Sequence, residues 1–371
     1  MRHPMPTAII SDLHLGTTSG TDVARREDVA ERLFAALAPA DRVVVLGDLL
    51  ELRERPVAEV LELTRDFLGG LGEATAGKQV VIVPGNHDYE LIAPALDAAR
   101  LQGDPAPALD ATFSAATGEL SRRVAELMPR SEVTLAYPGI HLREDVFATH
   151  GHYLDAHLTV PRLECIVAGA IGRIVGQRGD SELSSPAAYE ATLAPLYAFA
   201  HAVVQTSPLR TATKGGTLSR SVWRQSNPGE RRSLRGWALG GVAIPAAVGA
   251  LNRTGIGPFR ADISAVELRR AGLRAMGQVV AGMGIGAHHV IFGHTHRAGP
   301  LPGEVEGWWL RGGARLTNTG SWIYEPVFAP SQDGRNPYWP GHVAYVRDEG
   351  PPELVGLLGD LDFPEVRAAI G

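Results

Sequence analysis

Apolar positions in the first ninety residues switch between two periods. "TAII" (7–10), "RVVVLG" (42–47) and "QVVIVPG" (79–85) are short unbroken apolar runs, the form taken by a strand buried on both faces. Between them the spacing turns helical. Val29, Leu33, Phe34 and Leu37 share one face of a helix predicted over 23–38. Pro56 opens a second helical pattern carrying Val57, Val60, Leu61, Phe67 and Leu68, with Gly69-Gly70 as its expected stop. The resulting β-α-β-α-β order predicts an α/β fold of packed layers. Polar residues follow each apolar run, at the strand ends where such sheets place their ligands.

Farther along, "DVFATHG" (145–151), "HHVIFGHTH" (288–296), "RLTNTGSW" (315–322) and "GHVAYV" (341–346) predict more strands, the first two running into histidines. The stretch between His152 and His288 differs. It is rich in Ala, Gly and Arg, with helical stretches and few strand signals, and predicts a mainly helical insertion at 156–284 between core segments 1–155 and 285–371.

Composition narrows the function classes. Hydrophobic residues at 44% and charged residues at 20% suit an ordinary globular protein. A net charge of −6 gives no reason to expect a nucleic-acid partner. Cys165 stands alone, which excludes an internal disulfide and a thiolate zinc site; within "LECIVAGAIG" it reads as a small buried hydrophobe. The first residues lack the apolar core of a signal peptide, and no apolar run reaches the ~20 residues of a spanning helix. The expected location is the cytoplasm, with peripheral membrane contact as the alternative.

The chemistry gathers at the strand ends: Asp12 and His14, Asp48, Asn86-His87-Asp88, His150 and His152, His294 and His296. Carboxylate, imidazole and amide oxygen are hard or borderline ligands, suited to Mn²⁺, Fe or Zn²⁺. A single D-x-H is commonplace in solvated turns. Five such pieces, each after an apolar run, have no comparable structural explanation.

Taken in order, "SDLH" (11–14), "LGD" (46–48), "PGNHD" (84–88), "THGH" (149–152) and "FGHTH" (292–296) resemble the motif series of the calcineurin-like metallophosphoesterase superfamily. The resemblance implies a four-layer α-β-β-α sandwich with a helical cap and two divalent ions. One ion would be held by Asp12, His14, Asp48 and His296, the other by Asp48, Asn86, His150 and His294, with Asp48 shared. It implies hydrolysis of a phosphate ester by a hydroxide bridging the ions. His87 would serve the departing oxygen and Asp88 would orient His87. His152 would touch substrate or support a ligand. Arg53, Arg55, Arg162 and Arg297 lie near the motifs and could bind phosphate, solvated surface arginines being the competing reading. Asp155 and His157 fit the opening of the insertion's first helix.

Superfamily members cleave phosphomonoesters, phosphodiesters and pyrophosphates, and the motifs do not choose among them. "SDLHLG", "GDLLEL" and "GHTHRAGPL…NTGSW" are also similar to the UDP-2,3-diacylglucosamine pyrophosphatases, which implies a lipid-linked nucleotide as the alternative substrate. His87 departs from that group, which often carries Arg there, and the insertion is longer. The uncharged run "WALGGVAIPAAVGAL" (237–251) follows Arg231, Arg232 and Arg235, a pattern of membrane-surface segments and equally of an insertion's own core or a dimer interface. A non-catalytic scaffold on the same fold is the remaining alternative.

Overall fold

The computed structural model describes residues 6–103, 107–158, 183–206, 265–326, 328–329 and 334–364. Arg162, Cys165 and the runs at 165–176 and 229–251 lie outside the described residues. The chain divides into two compact units. The described residues of 1–152, 197–207 and 285–371 form one, and those of 153–196 and 208–284 form the other.

The first unit is α/β. Strands β1 (Thr7–Ile10), β2 (Arg42–Leu46) and β3 (Gln79–Val83) come from the three early apolar runs. They pair in parallel, with Ile10 beside Val45 and Leu46 beside Val83. Helices α1 (Glu27–Leu37) and α2 (Val57–Ala74) connect them. Next come α3 (Ala93–Leu101), β4 (Asp110–Ser114), α4 (Glu119–Glu126), β5 (Glu132–Arg143) and β6 (Val146–Thr149). The last described strands are β7 (His289–Phe292), β8 (Arg315–Asn318), β9 (His342–Val346) and β10 (Glu353–Gly356). They join in the order β10-β9-β1-β2-β3-β5-β6-β7-β8, with β4 beside β5.

β5 is the hinge of this order and the sequence pattern hides it. Pro138-Gly139 reads as a turn, yet the strand runs through it. Before that point β5 pairs with β3 and β4, the latter contact ending at Asp110 beside Pro138. From Gly139 onward it pairs with β6. One apolar cluster is built from both stretches: Ile9, Val44, Leu46, Val81, Val83, Ala136, Ile140, Val146, Ala148, Ile291, Ala344 and Val346, all buried. Burying each of the larger side chains is worth about 1.5–3 kcal/mol as an upper figure. That shared core holds seven strands in one register, so the ends of β1, β2, β3, β6 and β7 cannot shift independently.

Gly69-Gly70 does not stop α2, which continues to Ala74. The glycines provide room instead. A Cβ on Gly70 would lie 2.6 Å from the Phe34 ring, and one on Gly72 would lie 2.7 Å from the Met128 backbone. Close packing outweighs the helical cost of glycine here.

In the second unit, α5 (Pro186–Thr206) contributes its residues up to Leu196 and α6 (Ala265–Gly282) lies wholly inside. Asp155 and His157, expected at a helix opening, are buried around a short 3₁₀ turn. The Tyr153 ring stacks on Tyr189 at 4.7 Å, and the Tyr153 hydroxyl donates to Glu190. His157 Nε2 meets the Tyr189 hydroxyl at 2.7 Å. No described helix is long and apolar enough to cross a membrane.

The glycines of α2 separate packing from propensity. Gly69 has open space at its Cβ position. Gly69→Ala is expected to stabilise the protein by about 0.5–1 kcal/mol. Gly72→Ala, pressed against the Met128 backbone, is expected to destabilise it by about 1–3 kcal/mol. Urea denaturation of both variants checks the opposite signs.

Candidate metal centre

The parallel pairing of β1, β2 and β3, and of β6 and β7, brings their carboxyl ends to two short rows. The loops leaving them are tied together by backbone bonds: Asp12 N–H to Gly47 O at 3.0 Å, Gly293 N–H to His150 O at 2.9 Å, and Trp322 N–H to Asp12 O at 3.0 Å. At these exits the chain takes an unusual turn. Asp12, His14, Asp48, His294 and His296 are the non-glycine residues with positive φ among those described, between 44° and 63°. Each such residue costs on the order of 1–3 kcal/mol, and Asp and His bear it better than most. All five come from the metal-type motifs. Two glycines complete the fit. Gly47 has φ 89° and a Cβ there would sit 2.0 Å from His150 Nδ1; a Cβ on Gly85 would sit 2.2 Å from Asp48 Oδ1.

Among the described residues three groups of donors result: one is His14, Glu51 and His87, and the other two are built from the expected ligands. Asp12, His14 and His296 form one, and Asp48, His150 and His294 the other, each with ligand atoms within 4.8 Å of one another. His14 Nε2 lies 3.1 Å from His296 Nε2, and Asp12 Oδ1 lies 3.4 Å from His296 Nε2 and 3.9 Å from His14 Nε2. Asp48 Oδ2 stands between the groups, 3.5 Å from His14 Nε2 and 3.2 Å from His150 Nε2. Asn86 Oδ1 is 3.3 Å from His150 Nε2. Donors ~2.1 Å from one cation lie ~3.0–3.4 Å apart at tetrahedral or octahedral angles, the range of the His14–His296, Asp12–His296, Asp48–His150 and Asn86–His150 spacings.

The donors are held from behind. His150 Nδ1 faces Leu46 O at 3.0 Å, which makes Nδ1 the donor and aims Nε2 at Asp48. Asp12 Oδ2 accepts from the Ser11 hydroxyl at 2.5 Å and from His294 N–H at 3.0 Å, and Ser11 meets the Thr319 hydroxyl at 2.6 Å. Asp48 Oδ1 accepts from His87 N–H at 2.9 Å.

Electrostatics follows from this crowding. Burial opposes the charge of Asp48, but the His150 and His87 imidazoles hold its carboxyl well below the usual range. Burial likewise opposes Asp12, and its bond to His296 with the charge of His150 keeps it low. Burial resists protonation of His14, yet Glu51 and Asp48 push it up to about 9; His150, beside Asp48, is pushed up to about 10. Burial depresses His152 well below an ordinary imidazole, reinforced by His150, and depresses His296 despite Asp12. Without metal the pocket balances carboxylates with protons on imidazoles, a charge that bound cations would replace.

The expected donors Asp12, His14, Asp48, Asn86, His150, His294 and His296 are therefore brought together, and His87 stands beside them with its side chain 23% exposed. Asp88 is a correction. The sequence points to it as the group that orients His87, but its carboxylate turns inward to the backbone of the turn. Oδ1 accepts from Gly85 N–H at 2.7 Å and Oδ2 from Leu49 N–H at 2.7 Å. Burial, and then Asp48, raise its pKa to about 6. Glu51 meets the His87 ring instead, with Oε1 and Oε2 at 2.9 and 2.8 Å from Nδ1. Glu51 was legible as the last residue of "GDLLE", but nothing in the chain's periodicity distinguishes it from a surface acid.

His152 is buried, its Nε2 3.1 Å from the Tyr137 hydroxyl and its ring 5.4 Å from that of His150, which places it against a donor. Arg297 is a second correction. Its guanidinium donates to both Glu304 oxygens and lies 5.7 Å over the Trp308 ring, so its charge is already neutralised. Arg53 gives Glu51 Oε1 a backbone N–H at 3.0 Å, and Arg55 donates to Gly16 O at 2.8 Å.

The model of the calcineurin-like phosphoesterase family matches residues 5–169, less than half of the chain. The matched span contains Asp12, His14, Asp48, Asn86, His87 and His150, while His294 and His296 lie beyond it. Among solved structures, a dimetal phosphatase from Danio rerio is similar at 12% identity, over 96% of this chain and 99% of that one, with a TM-score of 0.36. A cold-active protein-tyrosine phosphatase of a psychrophilic Shewanella species is similar at 13% identity, over 93% of this chain and 76% of that one, with a TM-score of 0.28. No curated protein matches.

If Asp88 supports the turn rather than His87, Asp88→Ala leaves buried N–H groups without an acceptor. It is expected to lower stability by about 2–4 kcal/mol in urea melts. The dependence of turnover on leaving group should stay as in the parent. Unchanged stability with an altered leaving-group dependence would return Asp88 to the role of His87's partner.

Proposed function

We propose that the protein is a dinuclear-metal phosphoesterase. The observation that carries this reading is Asp48 Oδ2 standing between two donor groups, within 3.5 Å of His14 Nε2 and 3.2 Å of His150 Nε2. The first cation would be held by Asp12, His14, Asp48 and His296, and the second by Asp48, Asn86, His150 and His294. Nitrogen and oxygen donors without a thiolate favour Mn²⁺, with Fe and Zn²⁺ as alternatives. When bound, a pair of divalent ions supplies Lewis-acid charge to the phosphoryl oxygens and lowers the pKa of water.

The chain's own residues do the rest. Two carboxylates facing two dications leave the pocket net positive, so it attracts a phosphate ester. Asn86 contributes a neutral oxygen and preserves that charge. His87, held at Nδ1 by Glu51, presents Nε2 to the departing oxygen and supplies its proton. No covalent enzyme intermediate is needed. Two sheet stretches joined through β5 over one core support the four-layer α-β-β-α reading, in which 156–284 forms a cap that shapes the substrate pocket.

A lipid-linked nucleotide is the second reading, and α5 favours it. Between Tyr197 and Val203 the exposed residues are Ala198, Phe199, Ala202 and Val203, with Phe199 68% exposed and no charge on that face. Such a face suits an apolar ligand or a lipid surface. A cytoplasmic protein that meets the membrane peripherally is the corresponding location.

Asp48→Ala is expected to lose metal and activity together, measured by calorimetric Mn²⁺ titration and bis-p-nitrophenyl phosphate hydrolysis. His87→Ala should keep metal and lose about 10²–10⁴-fold in kcat, most with poor leaving groups. Equal metal loss in both variants overturns the assigned roles, and no turnover with Mn²⁺, Zn²⁺, Ni²⁺ or Mg²⁺ favours the scaffold. Phe199→Glu tests the lipid reading: flotation with anionic liposomes should fall at least several-fold, and equal flotation of parent and variant counts against it.

A further inference from the structure

Glu51 does more than face His87. Its carboxylate is 2% exposed and spans two imidazoles. Oε2 lies 3.0 Å from His14 Nδ1 and 2.8 Å from His87 Nδ1. The two rings meet edge to face at 4.5 Å. The carboxylate is itself fixed, because Oε1 accepts the Arg53 N–H at 3.0 Å. His14 turns its other nitrogen, Nε2, toward Asp12, Asp48 and His296. His87 is tied a second time, through its backbone N–H to Asp48 Oδ1 at 2.9 Å.

Resting on the phosphoesterase reading, we propose that Glu51 is one positioning carboxylate shared by a metal ligand and the proton donor, so that ordering His14 for its cation and orienting His87 are a single event. The geometry gives the reason. A ligating imidazole needs its far N–H held so that the near nitrogen keeps its lone pair for the ion. A proton-donating imidazole needs the same service so that its outer nitrogen faces the substrate. Here one buried side chain serves both rings with one oxygen in common. Movement of Glu51 toward either ring draws it from the other.

This differs from a plain carboxylate–imidazole pair in what it predicts for metal binding. Glu51 then matters to the cation at His14 although it is not a ligand. His87 reaches that cation only through the carboxylate it shares with His14.

The test is Mn²⁺ titration by calorimetry of the full chain, with kcat measured for p-nitrophenyl and alkyl phosphodiesters. Glu51→Gln keeps shape and one acceptor oxygen. It is expected to weaken one of the two bound Mn²⁺ ions by about 10–100-fold. It should also cut turnover of the alkyl ester far more than of the p-nitrophenyl ester. His87→Asn leaves the Glu51–His14 contact in place, so it should keep both Mn²⁺ affinities within about threefold of the parent. Glu51→Asp keeps the charge with a shorter reach, so it should restore either metal affinity or alkyl-ester turnover, and not both. Parent-like Mn²⁺ affinities in Glu51→Gln would overturn the shared role while leaving the phosphoesterase reading intact. So would full recovery of both properties in Glu51→Asp. A parent protein that binds no divalent ion would overturn both.

Discussion

Two carboxylates, Asp12 and Asp48, are buried completely within a pocket of imidazoles, and the local structure is organised around making that tolerable. A buried carboxylate without compensation would take up a proton and lose its charge. Here each is compensated more than once. Asp12 is met by Ser11, the His294 backbone and His296, and Asp48 by His14, His150 and the His87 backbone. Burial alone would raise both pKa values; the surrounding imidazoles reverse the sign. The same balance of charge makes the pocket a receptor for cations.

Placing those groups requires a backbone that most residues resist. Five of the donors adopt left-handed φ. On a regular strand, residues two apart share a face but stand ~6.6 Å apart along it. The left-handed turn draws Asp12 and His14 into one donor group, and it sends His296 to that same group and His294 to the other. The strain is held by the rigid register of β1, β2, β3, β6 and β7 and by the backbone bonds between their exit loops. Gly47 and Gly85 belong to the same solution, because a side chain at either would occupy the space of His150 or Asp48.

Much of this is legible in the sequence. The early strands follow from unbroken apolar runs, and α1 and α2 from their spacing. The residues of the candidate site were legible because their type and their position after apolar runs are both local properties. β5 was not, because Pro138-Gly139 carries a turn signal that the neighbouring strands override. Gly69-Gly70 misled for the opposite reason: a stop by propensity became a contact surface for Phe34. The carboxylate beside the His87 ring is that of Glu51 and not that of Asp88, for a similar cause. Adjacency made Asp88 the natural partner of His87, but consecutive side chains diverge, and the imidazole meets a carboxylate from another loop.

The sequence by itself determined which chemical groups the protein owns and the order in which strands would deliver them. Type, spacing and apolar pattern are written in neighbouring residues, so they survive without a fold. Only the tertiary structure decided which carboxylate serves which imidazole, that Arg297 is neutralised by Glu304, and that Asp48 lies between two donor groups. Except for Arg297 and Glu304, those relations join residues far apart in the chain across distances near 3 Å, such as Glu51 to His87 at 2.8 Å. No local pattern encodes such a distance, because it is set by how the strands align and by which way a constrained backbone turns at their ends.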